Sequence, residues 1–307
     1  MGQRLVDRLI EERDQHIDHA LFYWTQILMA YNSNHMEGST LTAEQTSQIF
    51  ESDSLLAADG EQIRVDDVIE TRNHFVAFNY MLDHVDNPVN EEFVCHLHWL
   101  LKKGTSQESD SKYHIGAYKT RENEISQILG LTSIPTVAAV HVPEMMEVVF
   151  NEYARITDNP VHIAMCHWMF ERVHPFSDGN GSIGRLVMFK ECLRLNTVPP
   201  LVRDEHHSMY VKGLNEFPEH PGWLVDLLLS ERDTYEQTFM QRMAQGQLAY
   251  TYADHWSEQD SEVLLDQARV FAQRIAQLAP SPEVNNLSTL YATPSAVPVR
   301  QQKRHIH

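Results

Sequence analysis

His174-Pro175-Phe176-Ser177-Asp178-Gly179-Asn180-Gly181-Ser182-Ile183-Gly184-Arg185 gathers an imidazole, a carboxylate, a glycine-rich turn and a guanidinium into one short run. Upstream, Val161, Ala164, Met165, Trp168 and Met169 fall at i, i+3, i+4, i+7 and i+8, the stripe of a buried helix ending near Val173. Pro175 disfavours helical geometry at His174, which stops that helix. Leu186-Val187-Met188-Phe189 and Leu193 continue as a second helix, entered through Gly179-Asn180-Gly181 and ended by Pro199-Pro200. The expected unit is helix, tight turn, helix, with the polar groups collected in the turn.

That arrangement suits phosphate chemistry. Glycines let backbone N–H groups converge, and the first turn of a helix carries donors with no internal partner. Asp178 stands where a carboxylate can hold Mg²⁺, an ion that also takes phosphate oxygens and keeps several waters. Arg185 can engage a terminal phosphate, and His174 can take a proton near neutral pH. Together they point to nucleotide-dependent group transfer. The plain alternative is a glycine-rich helix connection with a capping Asn180.

The run resembles the Fic family signature, His-x-Phe-x-Asp/Glu-Gly-Asn-Gly-Arg-x-x-Arg, at every specified position except Ser182, where the family has arginine. The resemblance implies an all-α fold, a helical bundle with a short β-hairpin flap. It implies transfer of AMP from ATP, with Mg²⁺ as cofactor, to a protein target bearing Ser, Thr or Tyr. In that reading His174 is the base, Asp178 holds the metal, and Phe176 anchors the loop. Gly179, Asn180 and Gly181 cradle the phosphates beside Ser182, and Arg185 takes the γ-phosphate. His167 supports the loop, and Tyr210, from a Tyr-x-x-Gly-Leu stretch, lies near the base of the nucleotide. Loss of one charge-assisted hydrogen bond at Ser182 costs about 1.5–3 kcal/mol, roughly ten- to hundredfold in binding. Lys190 and Arg203 are the candidates to compensate.

Two further stretches match the same family. Ser33-x-x-x-Glu37-Gly38 resembles its inhibitory motif, Ser/Thr-x-x-x-Glu-Gly/Asn. The spacing sets Ser33 and Glu37 one turn apart, with Gly38 free to end the turn left-handed. The resemblance implies that Glu37 pairs with Arg185 through two parallel bonds and blocks the γ-phosphate position, or activates water to remove AMP. Tyr113 to Ile125 has weak β character and no helical stripe, and reads as a short hairpin. It resembles the family's target-docking flap, Gly-x-Tyr-Arg/Lys-Thr, with Tyr118, Thr120, Arg121 and Glu122 as docking residues. The resemblance covers residues 31–235.

The rest of the chain sets bounds. Of 307 residues 42% are hydrophobic, enough for a substantial core, and the net charge of −19 excludes a nucleic-acid footprint or an anionic membrane as main partner. Cys95, Cys166 and Cys192 are sparse and odd in number, which reads as reduced thiols in a cytoplasmic protein. No signal peptide or membrane-spanning run is read. Eighteen histidines show no zinc spacing. Residues 3–30 read as helical, 31–40 as too polar for a long helix, and Thr42 and Asn90 as caps. Arg64–Val85 reads as the longest helix, and Trp223–Leu278 as continuing helix. The division expected is 1–60 carrying the inhibitory motif, 61–235 as catalytic core, 236–280 as a helical extension and 281–307 as a flexible tail. A self-modifying, autoinhibited adenylyltransferase leads. A kinase-like relative, an enzyme using another nucleotide, and a binding protein inactivated at Ser182 stay open, as does a homo-oligomer.

Overall fold

The computed structural model describes residues 2–126, 133–244, 247–252 and 257–280. The expected tail, 281–307, lies outside them. The fold is helical, as the resemblance implied, with two small sheets. Its centre is an antiparallel pair, α7 (Pro160–Val173) and α8 (Asn180–Arg194). Both are buried almost all round, with Trp168, Phe170, Leu186 and Phe189 at 1% exposure or less. Such helices bury every face because others surround them.

Around this pair stand α1 (Leu5–Asp14), α2 (Leu21–Met36), α3 (Ala43–Ser52), α4 (Val65–Asp83), α5 (Glu91–Lys102) and α6 (Val142–Tyr153). Beyond α8 come α9 (His207–Glu216), α10 (Gly222–Tyr235), a π-turn over Glu236–Met240, α11 (Gln241–Met243) and α12 (Glu258–Leu278). One cluster of buried residues runs from Leu5 to Ile275, so segments from both ends of the described chain share the core. α12 closes it with Phe271, edge-on to Trp168 at 5.7 Å. β1 (Gln3–Arg4) pairs in parallel with β4 (Leu248–Ala249), and β2 (Glu124–Ser126) pairs antiparallel with β3 (Ser133–Pro135), Ile125 opposite Ile134. No described helix is long and apolar enough to cross a membrane.

Local signals explain several boundaries. Thr42 forms a full capping box with Gln45, and the Asn90 side chain accepts from Phe93 N at 2.9 Å. Other expectations need correcting. Residues 3–30 are two helices, because His16 and His19 take left-handed backbone (φ 53° and 55°) between α1 and α2. α2 then continues through the polar stretch to Met36. Asn32 and Asn34 are buried there, and tertiary partners satisfy them: Asn32 Oδ1 accepts from Asp204 N at 2.9 Å, and Asn34 Nδ2 donates to Thr71 Oγ1 at 3.0 Å. α12, with 21 residues, is longer than α4, with 19. The helical reading of 223–278 breaks at β4, and α8 ends at a left-handed Asn196 (φ 56°), ahead of the proline pair. The paired strands lie later than expected, at 124–126 and 133–135, and 113–123 is a chain of turns and bends.

Candidate active site

α7 ends on His174, whose left-handed backbone (φ 53°) turns the chain away from the helix axis. The turn is locked by Asn180. Its Oδ1 accepts from Phe176 N and its Nδ2 donates to Phe176 O, both at 2.8 Å, so the side chain holds the loop while the backbone N–H stays at the head of α8. Phe176 is fully buried and stacks on His98, ring centroids 4.1 Å apart. Gly179 then starts α8 with φ 76°, and the N–H groups of Asn180, Gly181 and Ser182 have no helical acceptor. Those N–H groups are the donors that a phosphate cradle would use.

The His174 ring bonds the Glu171 carbonyl through Nδ1 at 3.3 Å. A carbonyl only accepts, so Nδ1 carries the proton and the Nε2 lone pair is left to act. Burial lowers the His174 pKa to about 4, and the Lys119 ammonium adds to the effect. The ring is therefore neutral at neutral pH.

Asp178 is ionised. Burial works to raise its pKa, but Lys102 and Gln107 overcome this and hold it at about 2. Lys102 Nζ lies 2.7 Å and Gln107 Nε2 2.6 Å from Asp178 Oδ2. Among the described residues no cluster of three metal-ligating side chains exists, so a metal here would rest on Asp178 and on oxygens brought with a substrate. A lone ionised carboxylate beside an anion cradle fits that role.

Arg185 is 4% exposed and faces α2. Its Nε donates to Ser33 Oγ at 3.0 Å, and its Nη2 donates to Ser33 O at 3.2 Å and to Glu37 Oε1 at 3.1 Å. The expected fork of two bonds onto Glu37 is thus one bond to the carboxylate and two to Ser33. Glu37 caps α2, and a left-handed Gly38 (φ 93°) closes a Schellman turn, Gly38 N to His35 O and Ser39 N to Asn34 O. The Glu37 carboxylate lies against the cradle. A Cβ on Gly181 would collide with Glu37 Oε1 and come within 2.8 Å of Arg185 Nη1.

Tyr210 is buried on α9. Its hydroxyl meets His167 Nε2 at 2.6 Å and its ring lies 5.9 Å from the Arg185 guanidinium, so it is a wall behind Arg185 with an engaged hydroxyl. Ser182 is 2% exposed on the first turn of α8. Neither compensating candidate reaches it. Lys190 is held by Glu191 Oε1 (2.6 Å) and Asn87 O, and Arg203 by Glu231 (2.8 Å) and Glu205. Of the expected docking residues, Thr120, Arg121 and Glu122 are exposed. Tyr118 instead turns inward, 6.0 Å from the Phe176 ring, its buried hydroxyl without a partner among the described residues.

Sequence reasoning missed Lys102, Gln107 and Asn123, and met Lys119 only as the Arg/Lys position of the flap motif. Lys119 N donates to Pro175 O at 2.8 Å, and its Nζ donates to Thr136 Oγ1 at 2.6 Å. Asn123 Nδ2 donates to Phe176 O at 2.9 Å, so the base of the β2–β3 hairpin is bolted to the His174 loop. One signal was available. His98 and Lys102 extend the buried Val94 stripe of α5 at four-residue steps, and a cation on an apolar stripe needs a buried partner.

Residues 88–192 match the family model described as Fic/DOC family. The chain is 25% identical over 183 residues to a protein adenylyltransferase Fic from Drosophila willistoni, a match covering 59% of this chain and 34% of that protein. The chain thus spans about a third of the length of that curated relative. Among solved structures, a Fic family protein from Desulfovibrio desulfuricans superposes with TM-score 0.58 at 17% identity, covering 97% of this chain and 95% of the other. A Fic domain containing signaling protein from Bacteroides thetaiotaomicron gives 0.55 at 19% identity, covering 89% and 97%. These neighbours share the fold.

Proposed function

Since the chain carries a Fic/DOC family domain over residues 88–192, we propose that it transfers AMP from ATP to a hydroxyl side chain of a protein, and that Glu37 restrains the reaction. The observation that carries the proposal is a neutral His174, with Nε2 unprotonated, set one tight turn before a helix N-terminus backed by Arg185. Nε2 takes the proton of the target hydroxyl as its oxygen attacks the α-phosphorus. The bond to the bridging oxygen breaks, and pyrophosphate leaves. The N–H groups of Asn180, Gly181 and Ser182 bind phosphate oxygens, and Arg185 orients the γ-phosphate once Glu37 releases it. Asp178 would hold Mg²⁺, which when bound neutralises phosphate charge. The exposed Thr120–Glu122 segment is the surface offered to the target.

Glu37 supports the inhibitory part, because its carboxylate lies where the γ-phosphate would meet Arg185. A water activated by the same carboxylate would return AMP from the modified target. Ser182 favours a second reading, use of a different nucleotide or phosphoryl group, since the cation that arginine supplies in the family is missing. Mass spectrometry after incubation with ATP and Mg²⁺ separates the readings: a gain of AMP supports the first, a gain of phosphate the second. No modification by the wild type or by Glu37→Gly would remove both.

A further inference from the structure

Lys102 ends α5 with 3% of its side chain exposed, and its ammonium lies between two carboxylates, Glu70 Oε1 at 2.9 Å and Asp178 Oδ2 at 2.7 Å. Gln107 donates to the same Asp178 oxygen. The lysine stem passes beneath the signature turn, where a Cβ on Gly179 would stand 2.9 Å from Lys102 Cε. Glycine at that position serves the left-handed turn and also makes room for the lysine.

We propose that Lys102 is a built-in cation that holds Asp178 in place and excludes a divalent ion from it until nucleotide phosphates bring one in. The proposal rests on the metal-binding role of Asp178 proposed above. Two donors engage Oδ2, so a metal is offered the other oxygen of one carboxylate. Mg²⁺ demands near-octahedral coordination and gains little from a single protein oxygen. A divalent ion there would also face, across the width of the carboxylate, an ammonium whose own side chain is 3% exposed, a repulsion that solvent at the 37%-exposed Asp178 side chain reduces but does not remove. Phosphates change both conditions, supplying oxygens and the negative charge that offsets the lysine. Metal and nucleotide therefore bind together, and the unliganded enzyme does not accumulate metal. A sequence pattern would not reveal this, because Lys102 and Asp178 are 76 residues apart.

The test is Mn²⁺ titration of the full chain without nucleotide, read by the electron paramagnetic resonance signal of free Mn²⁺. Two variants remove the charge: Lys102→Gln, whose amide can still bond its neighbours, and Lys102→Met with Glu70→Leu, which removes a buried pair together so that neither partner is stranded. Both should bind Mn²⁺ at least about tenfold more tightly than wild type, and adding Asp178→Asn should abolish the gain. Unchanged or weaker affinity in whichever of these variants folds, judged by circular dichroism, overturns the proposal. A parallel titration with ATP present tests the underlying reading separately. If Asp178→Asn in the wild-type background leaves ATP-dependent Mn²⁺ binding intact, Asp178 is not the metal ligand, whatever Lys102 does.

Discussion

The loop between α7 and α8 concentrates its chemistry in residues that are close in sequence, and the rest of the site reaches it from elsewhere in the fold. His174 takes part in both. Its pKa of about 4 means that the base is lost only below that pH, when the ring gains a proton. The acid limb of kcat/KM should therefore fall near pH 4, not at the ordinary histidine value near 6.5. Lys119→Met removes a nearby cation and should move the limb upward. A wild-type limb near 6.5 would contradict the burial argument. His174→Ala should lower transfer by about 10²–10⁴-fold while leaving ATP binding intact, checked by single-turnover kinetics and calorimetry. The imidazole, carboxylate and glycine turn of the candidate site are legible because one short segment carries all three. That the Asn180 side chain is engaged by the Phe176 backbone depends on rotamer rather than residue type, and is not legible in the sequence. Lys102 and the role of Lys119 escaped because each becomes meaningful only when distant segments meet.

At the level of elements, the contact that matters runs between α2 and the first turns of α8. Glu37→Gly should raise self-modification by roughly ten- to hundredfold, the worth of one charge-assisted bond. Arg185→Ala should not, since it removes the orienting cation, and the double variant should match Arg185→Ala alone. Incorporation of labelled AMP in the four proteins decides this; equal rates in wild type and Glu37→Gly would leave Glu37 as an ordinary helix end. Ser182→Arg restores a cation on the first turn, where Lys190 and Arg203 do not reach, and should tighten ATP binding by about tenfold in calorimetry. Helix starts marked by Thr42 and Asn90 could be read directly, because caps are local chemistry. The end of α2 could not. Its asparagines look like helix breakers until Thr71 and Asp204 pair with them, and tertiary hydrogen bonds then override propensity. The hairpin was placed one segment early because the bends at 113–123 carry the same weak β character as the strands that follow.

For the molecule as a whole, the buried titratable groups predict a pH dependence of stability. Burial lowers His74, His98 and His167 each to about 3, so between pH 6.5 and 3 the unfolded chain binds protons that the folded one refuses, and stability falls as pH drops. Glu171, raised by burial to about 8, acts oppositely between about 4.5 and 8. His174, lowered to about 4, acts with the other three, and the four histidines outweigh Glu171, which leaves a net loss of stability as pH falls from 7 to 5. Urea midpoints at pH 7 and pH 5 measure it; equal midpoints would mean that the histidines are hydrated. The shared core has a bearing on regulation as well. α2 bears Glu37, yet it is wedged into the interior by Phe22 against Phe78 at 6.3 Å and Thr25 against Tyr235 at 2.7 Å. A helix so embedded cannot be shed like a detachable pseudosubstrate. Removing it would melt the core it helps to build. Glu37, by contrast, has 31% of its side chain in solvent and a backbone fixed by the turn at Gly38. Release from the proposed restraint is then a torsional event about the bonds of one glutamate, as fast and as reversible as side-chain rotation, with nothing for a protease to cut.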